Sequence, residues 1–252
     1  MNNQLSFHKK NGSVLTLFKS IFFTLSFILL LGGISSCIKE PKQIKDENQY
    51  GTLWINNRSY LIVQIEEQWW MAENLVTSTY NNGQTIPVIT TANEKQWATT
   101  KSGAKDGQDY NWYALVNDSL SLLPPGWHLP SDEEWKILEK NLGMDDSDAN
   151  KLGWRGNNEG DKLKSANNLN WPKYDQNTVW GTNESGFDAR AFNCRMFYGN
   201  QGEDGNAFFW TATDGPSDTT AYYRCLDYKK SSIFRQYGSK NYGFQVRLVK
   251  DN

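Results

Sequence analysis

The sequence predicts a mixed α+β domain with more strand than helix, built from short antiparallel strands, one or two helices and long irregular loops. Short apolar stretches separated by Asn-rich or Glu-rich turns begin the domain, one amphipathic helix pattern follows, and strand-like stretches return near the end. All 11 tryptophans lie after residue 37, and aromatic residues make up 14% of the chain. We therefore expect a core built largely from aromatic rings.

The first three strands are expected to form a meander. Residues 53–55, 60–65 and 68–71 are mainly apolar or aromatic, and the stretches 56–59 and 66–67 between them are polar. Short strand-like runs separated by Asn and charged residues are typical of successive hairpins. We therefore expect three neighbouring antiparallel strands.

The segment after Pro130 predicts a capped amphipathic helix. The Ser131 hydroxyl can accept from the amide of Glu134, whose carboxylate can reach back to the amide of Ser131. Three apolar residues then share one face at i, i+3 and i+7: Trp135, Leu138 and Leu142. Gly143 follows at the position where helices commonly end.

The stretch 144–186 is rich in Gly, Asn and Asp and is predicted to be loop, with strands returning at 208–211, 221–227, 231–236 and 244–249. Several aromatic rings in and after this stretch stand among polar residues. They are Trp154, Trp171, Tyr174, Trp180 and Tyr198. Each ring either anchors a loop in the core or faces outward, where it would bind a ligand.

The first 36 residues have the pattern of a secretory signal. They contain Lys9, Lys10 and Lys19 but no acidic residue, and an apolar run at 21–31 leads to Gly-Gly-Ile-Ser-Ser before Cys37. This ending resembles the bacterial lipobox, in which a peptidase cuts before a diacylated cysteine. A permanent membrane anchor over 14–34 is the alternative, and Lys19 disfavours it.

These observations divide the chain into a signal peptide (1–36), a flexible tether from lipidated Cys37 (37–49) and one globular domain (50–252). We expect the domain to lie outside the cytoplasm, bound by its lipid to the bacterial envelope and in particular to the outer membrane. Without the signal, 23 Lys and Arg stand against 28 Asp and Glu, a formal charge of −5. An acidic, well-mixed surface argues against nucleic acid as a partner.

Several strings occur in one order along residues 51–250. They are WMAENL (70–75), NWYA (111–114), GWHLPSDEEW (126–135), KLK (162–164), TNESGF (182–187), FWTAT (209–213) and YGFQVR (242–247). Together they resemble the Fibrobacter succinogenes major paralogous domain, a family of extracytoplasmic bacterial domains. The resemblance implies a fold similar to C-type lectins and formylglycine-generating enzymes, and it implies no established activity.

Cys194 and Cys225 depart from the pattern of that family. In an oxidising compartment they are expected to form a disulfide, which would stabilise the domain by roughly 3 to 4 kcal/mol in the chain-entropy model. A buried pair of thiols and a redox site are the alternatives. The redox site is disfavoured because neither cysteine has a second cysteine close to it in the sequence.

The sequence offers little for catalysis or metal binding. His128 is the one histidine left after removal of the signal, so a multi-histidine site is excluded. The acidic stretches 145–148 and 203–204 could bind calcium, but their spacing matches no EF-hand, and solvated loops are favoured. Paired acids for glycoside hydrolysis could include Glu73, Glu184 or Asp188, for which structural roles are favoured.

We therefore expect a non-catalytic, lipid-anchored module that binds a glycan or a protein ligand through its aromatic, loop-rich face. The alternative is a structural or assembly lipoprotein that contacts other envelope proteins through a strand edge or an apolar patch. An uncharacterised enzyme is a third possibility. No cofactor is expected, with calcium as the one ion considered.

Overall fold

In this computed structural model, the residues described are 49–88, 98–99, 108–116, 121–167, 170–171, 181–191, 195–197, 200–201 and 205–251. The strands are β1 (Tyr50–Ile55), β2 (Arg58–Ile65), β3 (Gln68–Met71), β4 (Ala98–Thr99), β5 (Asp109–Tyr110), β6 (Gly153–Arg155), β7 (Arg195–Phe197), β8 (Asn200–Gln201), β9 (Asn206–Asp214), β10 (Thr220–Asp227), β11 (Ile233–Ser239) and β12 (Val249–Asp251). The helices are α1 (Trp112–Leu115), α2 (Asp132–Asn141), α3 (Asp146–Ala149) and α4 (Glu159–Leu163).

The first sheet confirms the predicted meander and adds a strand from the end of the domain. Its order is β1-β2-β3-β12, and every pair is antiparallel. Asn56 and Asn57 form the first turn with φ of 47° and 65°, the left-handed backbone that a two-residue hairpin requires and that Asn tolerates. Because β12 pairs with β3, the beginning and the end of the domain share one sheet.

The second sheet has the order β6-β11-β10-β9 and is also antiparallel. It confirms the predicted strand stretches at 208–211, 221–227 and 231–236. The prediction of one continuous strand at 244–249 is wrong, because this segment changes neighbours along its length. Phe244 bridges to Tyr110 and Gln245 to Phe209, and only from Val249 does the segment join a ladder, with β3.

Helix α2 confirms the predicted capping box. The Ser131 hydroxyl accepts from the amide of Glu134, and the Glu134 carboxylate accepts from the amide of Ser131. The three apolar residues predicted to share its inner face, Trp135, Leu138 and Leu142, are buried. Gly143 follows with a φ of 111°, which favours glycine.

The prediction of one or two helices is too low, because the described part of the chain contains four. Two of the additional helices, α3 and α4, lie in the stretch interpreted as loop. They have four and five residues, too few to show an apolar period of 3.6. None of the helices in the described ranges is long and apolar enough to cross a membrane.

Two hydrophobic cores lie on opposite faces of the sheets, and both are aromatic as predicted. Alternate residues of β9 enter different cores: Phe208 and Trp210 pack in core 1, whereas Ala207 and Phe209 pack in core 2. Core 1 also contains Leu53, Ile62, Tyr110, Tyr223 and Phe244. Core 2 also contains Val63, Trp70, Trp135, Leu138, Phe187 and Ile233. Both faces of the two sheets are therefore used for packing.

Candidate functional site

An aromatic row crosses the face of the second sheet that is turned away from α2. Trp154 of β6 pairs with Phe234 of β11, which pairs with Cys225 of β10, which pairs with Phe208 of β9. Directly paired residues of antiparallel strands project from the same face. Phe208 and Cys225 are buried in core 1, while Phe234 is half-buried and Trp154 is 40% exposed. The row therefore emerges from the core at the β6 edge.

The exposed ring of Trp154 is supported from behind by other rings. Its centroid lies 5.1 Å from that of Phe234, at an interplanar angle of 53°. Phe234 lies 6.3 Å from Tyr223, whose ring lies 5.0 Å from that of buried Phe244. An exposed ring held in this way loses little conformational freedom when a ligand stacks on it.

Strand β11 also contributes a polar residue and a glycine to this face. Gln236 and Gly238 follow Phe234 at alternate positions, and Gln236 is half-buried. A Cβ at Gly238 would lie 3.1 Å from Cε2 of Tyr242, so the absence of a side chain lets the Tyr242 ring approach the strand. Trp154, Phe234, Gln236 and Tyr242 form what we name the aromatic strip, and Phe234 to Gly238 alone spans about 13 Å.

The opposite face of the same sheet carries a buried ionic cluster. Glu139 of α2 accepts from Arg155 Nη1 at 2.7 Å and from Arg224 Nε at 2.6 Å. Asp132, two helical turns earlier, accepts from Arg224 Nη1 at 2.8 Å and from Arg235 Nη2 at 2.7 Å. These five residues, named the arginine cluster, fasten α2 to three neighbouring strands. Burial raises the pKa of Asp132, but its bonds to Arg235 and Arg224 outweigh burial and lower it overall.

The predicted ligand-facing rings divide into different environments. Trp154 lies on the aromatic strip, whereas Trp171 is buried and its indole N–H donates to the Ala189 carbonyl at 3.1 Å. For Trp171 the ligand-facing interpretation is wrong, because the ring anchors its loop in core 2. The other three predicted rings lie outside the described residues: Tyr174, Trp180 and Tyr198.

Three members of the aromatic strip were missed by the sequence prediction: Phe234, Gln236 and Tyr242. The prediction considered the Gly-rich and Asn-rich stretch, whereas these residues belong to a strand and the turn after it. Alternation along 234, 236 and 238 was the available signal for a shared face. Their proximity to Trp154 depends on the pairing of β6 with β11, which local sequence does not reveal.

The disulfide between Cys194 and Cys225 stays a prediction. Cys225 is buried on β10, and its Sγ lies 3.6 Å from the Leu226 carbonyl oxygen. Cys194 and the predicted lipid-bearing Cys37 lie outside the described residues. Cys225 faces core 1 beside Phe208 and Phe234, so its position is one of packing.

His128, Ser131 and Glu134 lie at the N-terminus of α2 and are not arranged as a nucleophile and its base. The Nε2 of His128 contacts Oε1 of Glu134, while Oε2 of Glu134 accepts from the hydroxyl of Ser131 at 2.7 Å. Serine and histidine thus both bond to the carboxylate, whereas nucleophilic catalysis needs them bonded to each other. Burial raises the pKa of Glu134, but the bonds to His128 and Ser131 outweigh burial and lower it.

The other acidic residues considered for chemistry bind local partners. Glu73 accepts from the Leu61 amide at 2.6 Å, and Asp188 accepts from Arg190 Nη2 at 2.9 Å. The first contact fixes the backbone of β2, and the second fixes the loop around Asp188. Glu184 is exposed.

The acidic stretch considered for calcium contributes to α3. Asp146 pairs with Lys140 at 3.2 Å and Asp148 with Lys151 at 2.5 Å. Within the described ranges, no group of three His, Cys, Asp or Glu side chains is placed to hold a metal ion. The second acidic stretch, 203–204, lies outside those ranges.

Three of the strings that carried the resemblance meet at one buried side chain. Arg247 donates to Asn74 Oδ1 at 2.5 Å, to the Met71 carbonyl at 3.0 Å and to the Phe187 carbonyl at 2.8 Å. Burial lowers the pKa of Arg247 to about 9, so the side chain is still a cation at neutral pH. The strings at 70–75, 182–187 and 242–247 are therefore tied together in the interior.

Comparison with protein families gives a match over most of the chain. Residues 63–250 match the family model of the Fibrobacter succinogenes major domain. The match includes the three strings that meet at Arg247, the helix α2 and both strands of the aromatic strip. No curated protein matches the chain, and no solved structure does. Because the family model covers most of its length, the chain belongs to the Fibrobacter succinogenes major domain family.

Proposed function

We propose that this chain is a non-catalytic, extracytoplasmic binding module that recognises a glycan through the aromatic strip. The observation that carries the proposal is the exposed ring of Trp154, held by Phe234, with Gln236 two positions further along β11 on the same face. The C–H faces of a sugar stack on aromatic rings, and its hydroxyls bond to side-chain amides. A strip about 13 Å long on a rigid strand suits more than one sugar ring.

A fold similar to C-type lectins is part of the proposal. Two observations support it: two antiparallel sheets carry the domain, and its last strand pairs with a strand near its beginning. In such a domain, long connections emerge from a closed core and are free to vary. Here the connection from β3 to α2 and the one from α4 to β9 are the long ones.

We also propose that the domain is held to the bacterial outer membrane by a lipid on Cys37. The signal pattern before Cys37 and the polar segment after it support this anchor. The Cys37→Ser chain is expected to lose acylation and to leave the membrane fraction. Mass spectrometry of the N-terminal peptide together with fractionation checks both results, and an acylated, membrane-bound variant would contradict the anchor.

The glycan proposal is tested by binding of the purified full chain, in detergent, to an array of bacterial and plant glycans. We expect saturable binding of at least one class of oligosaccharide. Trp154→Ala is expected to weaken it by about tenfold or more, since loss of an anchoring ring at a binding site costs about 1.4 kcal/mol or more. Binding is measured with calcium and with a chelator, and the same affinity is expected in both.

Tyr237→Ala is the matched control. Tyr237 lies on β11 itself, is 37% exposed and meets the ring of Tyr222 edge to face, but it projects from the opposite face. Its loss should leave binding unchanged. The proposal fails if no glycan binds the parent chain, or if Trp154→Ala and Tyr237→Ala bind equally well. Loss of binding with the chelator would instead indicate a calcium-dependent site.

A structural or assembly role is the second candidate function, and exposed apolar side chains on the first sheet favour it. Trp54 on β1 is 46% exposed, and Leu61 on β2 is exposed on the same face. An apolar surface at a sheet edge is typical of a protein interface. This surface lies in a different sheet from the aromatic strip, so the two roles are compatible.

A further inference from the structure

Among the strands that the structure describes, β1 lies at an edge, and its sequence lacks the residues that usually protect such an edge. It pairs with β2 on one side, and no strand of the described ranges lies on its other side. Its sequence, YGTLWI, has no charged residue and no proline, and its register with β2 is regular. Natural edge strands are normally blunted by charges, prolines or bulges because an open edge pairs with other strands. An edge without these features indicates a partner strand.

The direction of the backbone hydrogen bonds shows which residues of β1 present their amides and carbonyls at the open edge. The amide and carbonyl of Leu61 bond toward the β3 side, to Glu73 at 2.6 Å and to Ala72 at 2.8 Å. In an antiparallel sheet, neighbouring residues bond to opposite sides. Tyr60 and Ile62 therefore bond toward β1, to Leu53 and Gly51. The residues between these, Thr52 above all, present their amides and carbonyls at the open edge.

The residues of β1 are arranged symmetrically about Thr52. Tyr50 and Trp54 stand two positions on either side of Thr52, and all three project from one face of the sheet. On the other face, Gly51 and Leu53 flank Thr52. A two-fold axis through Thr52 would thus bring each Trp54 opposite Tyr50 of the partner subunit. It would bring each Leu53 opposite the glycine that leaves room for it.

We propose that β1 is a homodimer interface, in which two copies of this chain pair antiparallel through a two-fold axis at Thr52. The two four-stranded sheets then form one continuous sheet of eight strands. Two copies of the strand can pair through their outward amides and carbonyls, and each Trp54 then lies opposite a Tyr50. A two-fold contact requires a surface that is complementary to itself in this way. The strand carries no charge, so two copies meet without repulsion. A second copy is therefore the partner that this edge fits.

Disulfide trapping of the full chain tests this interface. In a hydrogen-bonded antiparallel pair, facing Cα atoms are about 5.5 Å apart, within the range that a disulfide spans. Thr52→Cys is therefore expected to give a crosslinked dimer under mild oxidation. Ser59→Cys is the matched control, because Ser59 is exposed on the same face but lies on β2. Two copies of β2 would be about 14 Å apart across the interface.

We expect the crosslinked yield of Thr52→Cys to exceed that of Ser59→Cys and of the parent chain by roughly tenfold, given this difference in distance. Equal yields would overturn the proposal. In a second measurement, the parent chain in detergent is expected to sediment as a dimer and Thr52→Pro as a folded monomer. Proline removes the outward amide, which edge strands tolerate. A parent chain that sediments as a monomer would also overturn it.

Discussion

Replacement of Glu139 with Gln is expected to lower the free energy of unfolding by about 3 to 5 kcal/mol, the usual cost of removing one partner from a buried ion pair. Glu139 is fully buried and accepts from Arg155 and from Arg224. The amide keeps the shape of the carboxylate but removes its charge and turns a donor toward the guanidinium donors. Arg155 would be left without a carboxylate of the arginine cluster, and Asp132 would be the one carboxylate that remains for its three arginines.

Urea unfolding of the purified full chain, followed by tryptophan fluorescence, measures this effect. The midpoint should fall while the slope stays constant, because the surface exposed on unfolding is the same. Glu133→Gln is the matched control on α2, since Glu133 bonds to Lys136 at 2.7 Å but is 77% exposed. An exposed pair contributes about 0 to 1 kcal/mol. Similar midpoints for the two variants would contradict a structural role for the cluster.

The parts of the fold that the sequence predicted correctly depend on local signals. The capping box joins Ser131 to Glu134, three residues apart, and the Asn56-Asn57 turn lies between the strands that it connects. Amphipathic spacing then identifies the inner face of α2. Each of these signals acts over a few residues, so neither the helix nor the meander requires knowledge of distant partners.

The arginine cluster could not be predicted from the sequence, because its members are far apart along the chain. Glu139 bonds to Arg224 across 85 positions, and Asp132 bonds to Arg235 across 103. Asp132 belongs to an acidic first turn, which is common in helices, and Glu139 follows near the other end of α2. Arg155 stood in the stretch predicted to be loop, whereas Arg224 and Arg235 stood in strand-like stretches. Only the pairing of β6, β11 and β10 brings three arginines to one face.

The candidate site shows a similar limit of local reasoning. Trp154 and Trp171 both stand in polar sequence, yet the first is exposed and the second is buried. The difference comes from tertiary contacts: Trp171 finds the Ala189 carbonyl for its N–H. Trp154 instead occupies the last position of a row of rings that leaves the core. Composition predicted that aromatic rings matter here, but not which of them reach the surface.

The two faces of the second sheet have complementary roles. On one face, the arginine cluster and Trp135 hold α2 against β10 and β11. On the other face, the aromatic strip reaches solvent. Because buried ion pairs and packed rings restrict the strands, the strip is held in one place, and the glycan binding proposed above would lose less entropy. Loss of the arginine cluster is therefore expected to weaken the proposed glycan binding as well as the stability of the domain.

Arg247→Met is expected to lower the free energy of unfolding by about 3 to 5 kcal/mol, since each buried acceptor left without its donor costs about 1 to 3 kcal/mol. Methionine matches the length of the apolar part of arginine but donates nothing. Asn74 and the carbonyls of Met71 and Phe187 would each lose a bond to a cation. The loss would fall where three separate parts of the chain meet, so we expect the whole domain to unfold at lower urea.

Arg190→Met is the control for this substitution, because Arg190 pairs with Asp188 at 2.9 Å on a partly exposed loop close to Phe187. Its replacement should change the free energy of unfolding by no more than about 1 kcal/mol. Circular dichroism at increasing urea, compared with tryptophan fluorescence, tests whether the Arg247 variant unfolds in one step. A variant as stable as the parent would mean that these strings are held together by apolar packing alone. A single transition at lower urea would instead show that the domain unfolds as one cooperative unit and that Arg247 stabilises it.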